Sequence, residues 1–256
     1  MKGGNAALDL SIVVPLYNEE QNVVPLFDEL TRVLRDTGMS YELILVDDGS
    51  TDQTFDRLMA VLAGDPRARV IRFAHNFGQT AAFAAGFAHA RGRFIATIDG
   101  DLQNDPADIP RLLAHTTAFD VVCGWRKDRK DAFLTRHVPS VAANWLIGIV
   151  SGVRVHDIGC SLKVFRAEVV KPLKLRPGTH RYLPALASQL GARVTEVVVN
   201  HRPRQFGRSK YGLSRTFTVI ADLVRLRRMM REGADPSREA PALYEIATIL
   251  EQNHQT

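Results

Sequence analysis

Five short runs of mostly apolar, often β-branched residues (10–15, 42–47, 69–73, 94–99 and 120–123) alternate with four longer stretches (20–37, 51–63, 79–91 and 106–115) whose apolar residues recur at helical spacing. A chain that alternates in this way has few architectures open to it. Strands joined by helices run parallel, because a parallel pair needs a long crossover. The runs are nearly continuous in apolar character, as expected of strands buried on both faces. The sequence therefore predicts an α/β fold with a mostly parallel sheet flanked by helices, and ligands of such sheets bind beyond the carboxyl ends of the strands.

The second half is less regular. A helix is expected over 139–150, a strand followed by a helix over 161–170, a helix over 181–190 and a strand over 193–200. Leu213, Phe217, Ile220 and Val224 then step by four, three and four, with Arg215, Asp222 and Arg225 off that face, which reads as an amphipathic helix. Residues 233–236 break it, and a last short helix is expected over 241–252.

Charge is unevenly placed. Between Arg202 and Arg231 there are nine arginines and lysines against one acid, Asp222, a local charge of +8 that leaves −3 for the rest of a chain totalling +5. Phosphates, nucleic acid and anionic lipid are the partners such a segment suits. A membrane span needs about 20 apolar residues, whereas the best run, 141–150, is short and contains Asn144, so no transmembrane helix is expected. Residues 1–10 do not resemble a secretory signal. The two cysteines, Cys123 and Cys160, have neither metal-type spacing nor a disulfide framework. Buried thiols in a reducing compartment are the expectation.

Three polar clusters fall at predicted strand ends: Pro15 to Glu19 with Tyr17 between them, Val46 to Asp52, and Asp99 to Gln103. Taken singly, an Asp-Gly-Asp is a turn or a helix cap. Three such ends on one rim make a site. Asp99, Asp101 and Gln103 alternate, so in an extended chain their side chains converge. Oxygen ligands of this kind suit a hard divalent cation, Mg2+ or Mn2+, which keeps waters and bridges to substrate phosphates. No Gly-x-Gly-x-x-Gly follows the first strand and no P-loop occurs.

The segments SIVVPLYNEE, VDDGSTD, RFAHNFGQTAAFAAGFAHARG, DGDLQNDP, HDIGCSLKVFR and RPRQFGRSKYG together resemble the inverting family 2 glycosyltransferases of GT-A fold, over about residues 10–223. The similarity is greatest to the branch that acts on polyisoprenyl phosphates. It implies transfer of a sugar from a UDP- or GDP-sugar to a polyprenyl phosphate, with a catalytic domain over 1–212 and amphipathic helices over 213–256. It assigns Pro15, Tyr17, Glu19 and Asp48 to the nucleoside, with Val46 lining its pocket, and Asp99 and Gly100 to the ribose and diphosphate. Asp101 and Gln103 become the metal ligands. Gly78 and Gln79 open a helix whose amides serve the donor or whose glycine allows close packing. Asp157 matches a proposed general base, or else orients the acceptor. Arg126, Arg204 and Lys210 match cations that hold acceptor phosphate or donor diphosphate.

Many members of this branch carry transmembrane helices after the Ser-Lys-Tyr loop. Here the expectation is a cytoplasmic enzyme held peripherally at the membrane's cytoplasmic face, by its own amphipathic helix and arginines or by a separate membrane protein. A helix packed on its own domain is the alternative, and a homo-oligomer is compatible with either. Nucleic acid is not expected, because the basic segment has few interleaved aromatics. A polysaccharide or protein acceptor is the other reading of the enzyme, although the Gln/Arg-x-x-Arg-Trp motif of processive synthases does not occur.

Overall fold

The computed structural model describes residues 8–127, 153, 155–206 and 243–252. Eight strands form one sheet in the order β7-β5-β6-β4-β1-β2-β3-β8. They are β1 (Leu10–Leu16), β2 (Tyr41–Asp47), β3 (Ala68–Phe73), β4 (Phe94–Thr97), β5 (Val121–Trp125), β6 (Lys163–Arg166), β7 (Val194–Val198) and β8 (Ile246–Glu251). The strands β4, β1, β2 and β3 pair in parallel, as do β5 and β7, whereas β6 and β8 run antiparallel to their neighbours. The mostly parallel sheet is the one expected.

Side-chain alternation splits the core into two layers. Leu10, Ile12, Val14 and Leu16 of β1 face one layer, with Leu43 and Leu45 of β2. The helices α1 (Val23–Arg35) and α2 (Thr54–Gly64) cover it with Leu26, Leu30, Leu34, Leu58 and Leu62. Those of α1 recur every four residues, which places one stripe against the sheet. Val13, Ile44, Val46 and Ile71 face the other layer, under α3 (Gln79–His89). Burying each of these aliphatic side chains contributes about 1.5–3 kcal/mol. In α3 nearly every residue from Thr80 to Phe87 is buried, and a Cβ on Gly86 would stand 2.1 Å from Val13 Cγ1, so this helix lies directly on the sheet.

Three shorter helices, α4 (Ile109–Ala114), α5 (Ala167–Val170) and α6 (Leu183–Gln189), complete the described α-helices. The strand-then-helix expected over 161–170 and the helix and strand expected over 181–200 are present with trimmed ends. The start of α1 falls at Val23 rather than residue 20 because Glu19 and Asn22 form a turn, Asn22 Nδ2 donating to Glu19 Oε2 at 2.6 Å.

The short helix expected over 241–252 is a strand instead. β8 pairs antiparallel with β3, with Ile246 opposite Phe73 and Leu250 opposite Val70. Its Ile246, Thr248 and Leu250 are half-buried while Ala247, Ile249 and Glu251 are exposed, the period of two of a sheet edge. Tyr244 stacks on Phe73 with ring centroids 5.1 Å apart, and Glu251 pairs with Arg69 at 2.9 Å and with Arg91. The neighbour, not the local propensity, decides this segment. The helices expected over 139–150 and 213–224 lie outside the described residues.

The turn after β2 depends on glycine. Gly49 has φ +68°, and a Cβ there would lie 2.4 Å from the carbonyl carbon of His75. Gly49→Ala is therefore expected to destabilise the protein by roughly 2–4 kcal/mol and lower Tm by about 5–10 °C in thermal denaturation. An unchanged Tm would contradict this close approach.

Candidate active site

The rim at the carboxyl ends of β1, β2 and β4 gathers the acidic clusters. Pro15 pairs with Val46 across β1 and β2, and Asp48 N donates to Leu16 O at 2.8 Å, so the first two clusters are fixed side by side. Their loops are then cross-linked. Asn18, held at φ +51°, accepts from Thr51 N at 2.8 Å, its own N donates to Ser50 Oγ at 3.0 Å, and Glu19 N donates to Thr54 Oγ1 at 2.8 Å. Tyr17 and Glu19 sit half-buried on this loop.

Asp48 is turned toward the segment before α3. Its carboxylate accepts from Phe77 N at 2.7 Å, Gly78 N at 2.9 Å and Asn76 Nδ2 at 3.1 Å. Three donors on one buried carboxylate fix the 76–78 loop, so in this structure Asp48 builds the floor of the site. Asn76 and Phe77 are not marked by the sequence, although they stand in the AHNFGQT stretch; no chemistry-bearing pattern marks a single side-chain amide or a backbone donor. Val46 is fully buried beneath α3. There it packs below the floor, in the layer under α3. A Cβ on Gly100 would lie 2.5 Å from Leu16 Cδ2, so this glycine also serves packing.

After β4 the chain turns sharply through Leu102, at φ +62°, and presents Asp99, Asp101 and Gln103. Gln79 Nε2, at the start of α3, donates to Asp99 Oδ1 at 2.6 Å. The side-chain amide of Gln79 thus ties the start of α3 to the acidic loop. Burial, then the negative charge of Asp101, pushes the Asp99 carboxyl up to about 6, against the opposing pull of Ser161, Arg126 and Lys163.

Arg204 lies across this loop. Its Nη2 donates to Asp101 Oδ2 at 2.6 Å and to Gln103 Oε1 at 3.2 Å. Asp101 and Gln103 therefore direct one oxygen each at a single point, and that point already holds a positive group. Both donors are hard oxygens, the ligand type that divalent cations such as Mg2+ take. Among the described residues no cluster of three or more His, Cys, Asp or Glu side chains could hold a metal. Two side-chain oxygens fit an ion such as Mg2+ or Mn2+ that keeps waters and takes its other ligands from phosphates.

Asp157 and Arg126, expected in separate roles, form one ion pair. Arg126 Nε donates to Asp157 Oδ2 at 2.7 Å and Nη2 to Oδ1 at 3.0 Å, with the side chains 12% and 7% exposed. The contact with Asp157 raises the Arg126 pKa although burial opposes it. A carboxylate gripped by a guanidinium fork is a poor proton acceptor. The pair nevertheless sits close enough for Arg126 to act on Asp99, so it borders the same site. Lys163, only 3% exposed, donates to Cys160 O, a structural contact. His156 pairs with Glu196 and stacks on Trp125 at 4.2 Å. His180 meets Thr80 at the start of α3, Nδ1 to Oγ1 2.7 Å. Lys210 lies outside the described residues. Both cysteines are buried, as expected, and burial pushes the Cys123 thiol up to about 12.

No helix among the described residues is long and apolar enough to cross a membrane. Among solved structures, glucosyl-3-phosphoglycerate synthase of Mycobacterium tuberculosis, with Mn2+, UDP and glucosyl-3-phosphoglycerate, matches with a TM-score of 0.67 over 91% of this chain and 82% of that one. At 20% identity this likeness establishes the fold, the GT-A arrangement expected above. Among curated proteins, the chain is 47% identical over 235 residues to dodecaprenyl-phosphate galacturonate synthase of Rhizobium johnstonii, covering 90% of this chain and 70% of that protein. It is 38% identical over 218 residues to undecaprenyl-phosphate 4-deoxy-4-formamido-L-arabinose transferase of Yersinia pestis, covering 84% and 66%. It thus spans about two thirds of the length of these relatives. The profile of glycosyl transferase family 2 matches residues 11–172, and with these identities it follows that the chain belongs to that family of glycosyltransferases.

Proposed function

We propose that the protein transfers a sugar from a nucleotide-sugar to a polyprenyl phosphate, with inversion at the anomeric carbon and with a divalent cation. The observation that carries this reading is the convergence of Asp101 Oδ2 and Gln103 Oε1 on one positive group at the rim where the fold binds ligands. The names of the two curated relatives supply the acceptor class. The Mn2+ and UDP of the mycobacterial structure support a metal and a nucleoside diphosphate in the equivalent fold.

In this mechanism the donor lies across the rim. Tyr17 and Glu19 border the nucleoside over the floor that Asp48 fixes, and Asp101 and Gln103 hold the cation. When bound, the cation offsets the charge that builds up on the leaving diphosphate. A phosphate oxygen of the acceptor attacks the anomeric carbon from the face opposite the diphosphate. The new carbon–oxygen bond forms as the old one breaks, and the nucleoside diphosphate leaves with the electron pair. The attacking phosphate has its second pKa near 6 and is already an anion at neutral pH. No side-chain base is needed, which accords with the engagement of Asp157 by Arg126. Their pair then serves to hold Arg126 at the acceptor side of the site.

Peripheral contact with the membrane, directly through residues 213–231 or through a partner protein, brings the site to its lipid. Liposome flotation with and without anionic lipid at low salt distinguishes the two, since direct contact predicts binding to anionic vesicles without any other protein. The reaction is tested by incubating the purified protein with Mn2+, undecaprenyl phosphate and a panel of UDP- and GDP-sugars that includes a uronate. A glycosylated lipid phosphate of inverted anomeric configuration is expected, read by mass and NMR. A retained configuration would overturn the single displacement. Transfer only to a small phosphorylated acceptor or to a polysaccharide would replace the lipid acceptor with the other reading.

A further inference from the structure

Arg204 stands where a cation belongs, and the surrounding chain holds it there. Arg202 N donates to Gln103 O at 2.8 Å, and Asn104 and His201 form an antiparallel bridge. The 201–204 segment is thereby laid along the acidic loop. The guanidinium of Arg202 is turned elsewhere, to Glu29 and Asp105 at 2.7 Å each. Arg204 alone of the two reaches Asp101 and Gln103, and it does so with one nitrogen bonded to both.

The two oxygens cannot serve this nitrogen and a divalent ion in the same place. Metal–oxygen contacts of about 2.0–2.2 Å would set the ion in the space the guanidinium fills. Two positive groups so close would also repel strongly in a partly buried site. We infer that Arg204 is the resident counter-ion of the cation site: it neutralises the acidic loop in the empty protein, yields Asp101 and Gln103 to an arriving divalent ion, and carries its freed fork to the donor diphosphate. A planar guanidinium suits phosphate oxygens as well as it suits a carboxylate. Metal and donor are coupled as a result. The ion releases the arginine that the diphosphate captures, and by reciprocity the diphosphate tightens the ion.

This inference rests on the proposed cation and diphosphate site, and its test separates the two. Mn2+ binding to the nucleotide-free protein is measured by the electron paramagnetic resonance signal of free Mn2+, for the wild type, Arg204→Gln and Arg202→Gln, each checked for folding by its thermal transition. Arg204→Gln is expected to bind Mn2+ about tenfold more tightly than the wild type, the worth of one charge-assisted hydrogen bond. Arg202→Gln removes the same charge from a side chain that touches neither oxygen, and is expected to change Mn2+ binding less than about twofold. Addition of UDP is expected to tighten Mn2+ about tenfold in the wild type and markedly less in Arg204→Gln. Equal Mn2+ affinity in Arg204→Gln and wild type, or equal gains in the two variants, would overturn the counter-ion role while leaving the metal site standing. Absence of Mn2+ binding in all three proteins would remove both.

Discussion

Asp101→Ala is expected to lower kcat by about a thousandfold or more at saturating donor and Mn2+. Asp101 supplies one of the two side-chain oxygens that converge on the proposed cation position, now met by Arg204, and Gln103, a neutral amide, supplies the other. Removing the carboxylate leaves a single neutral ligand and strips the site of most of its attraction for a divalent ion. The loss should appear in Mn2+ affinity as well as in rate, and excess Mn2+ should restore little of the activity. Folding should survive, because Asp101 lies on the rim and buries no apolar surface. Activity and Mn2+ titration on a variant with an unchanged thermal transition check this. Full transfer by Asp101→Ala would remove the metal from the mechanism.

Asp157→Ala is expected to fail in a different way, by losing stability. It leaves the Arg126 guanidinium, 12% exposed in the folded protein, without the carboxylate that grips it. Breaking a buried pair from one side costs about 3–5 kcal/mol, which for a domain of this size is a fall in Tm of roughly 10 °C. Arg126→Met combined with Asp157→Leu should recover much of that loss, because neither charge then remains buried alone. The pair makes a prediction about rate too. Rate should rise as pH increases through about 6, as the acceptor phosphate loses its second proton. Asp157→Asn should keep this limb of the profile. A catalytic base at Asp157 would instead give a variant whose profile has lost it, with kcat reduced by 10²–10⁴.

The first half of the chain was legible because each of its strands is buried on both faces and each helix has one apolar stripe. Period and punctuation then point the same way, and β1 to β4 fall within a few residues of their expected places. The acidic clusters were legible for a related reason: strand ends on one edge of a parallel sheet must face one another. What could not be read was pairing between distant side chains. Arg126 and Asp157 are 31 residues apart in sequence and carry opposite charges, yet nothing in either segment marks the other as its partner. Asp48 was legible as a polar residue at a strand end, but not its capture by the amides of Phe77 and Gly78. The segment 246–251 misled for the opposite reason. Its pattern is short enough to suit a helix or a strand, and only the open edge of β3 selects between them.

That last strand alters the status of the basic stretch. A charged run near the end of a chain is ordinarily a tail, tethered at one point and free to sample a wide volume. Here the chain leaves the described body at Phe206, beside the acidic loop, and rejoins it at Leu243, just before Tyr244 stacks on Phe73 at the carboxyl end of β3. Both points stand at the carboxyl-terminal rim of the sheet, Arg204 holding the first to Asp101 and Tyr244 the second to Phe73. Loops rooted at two points forfeit reach and gain direction. The arginines between them are thus joined through the chain to that rim at two points rather than one.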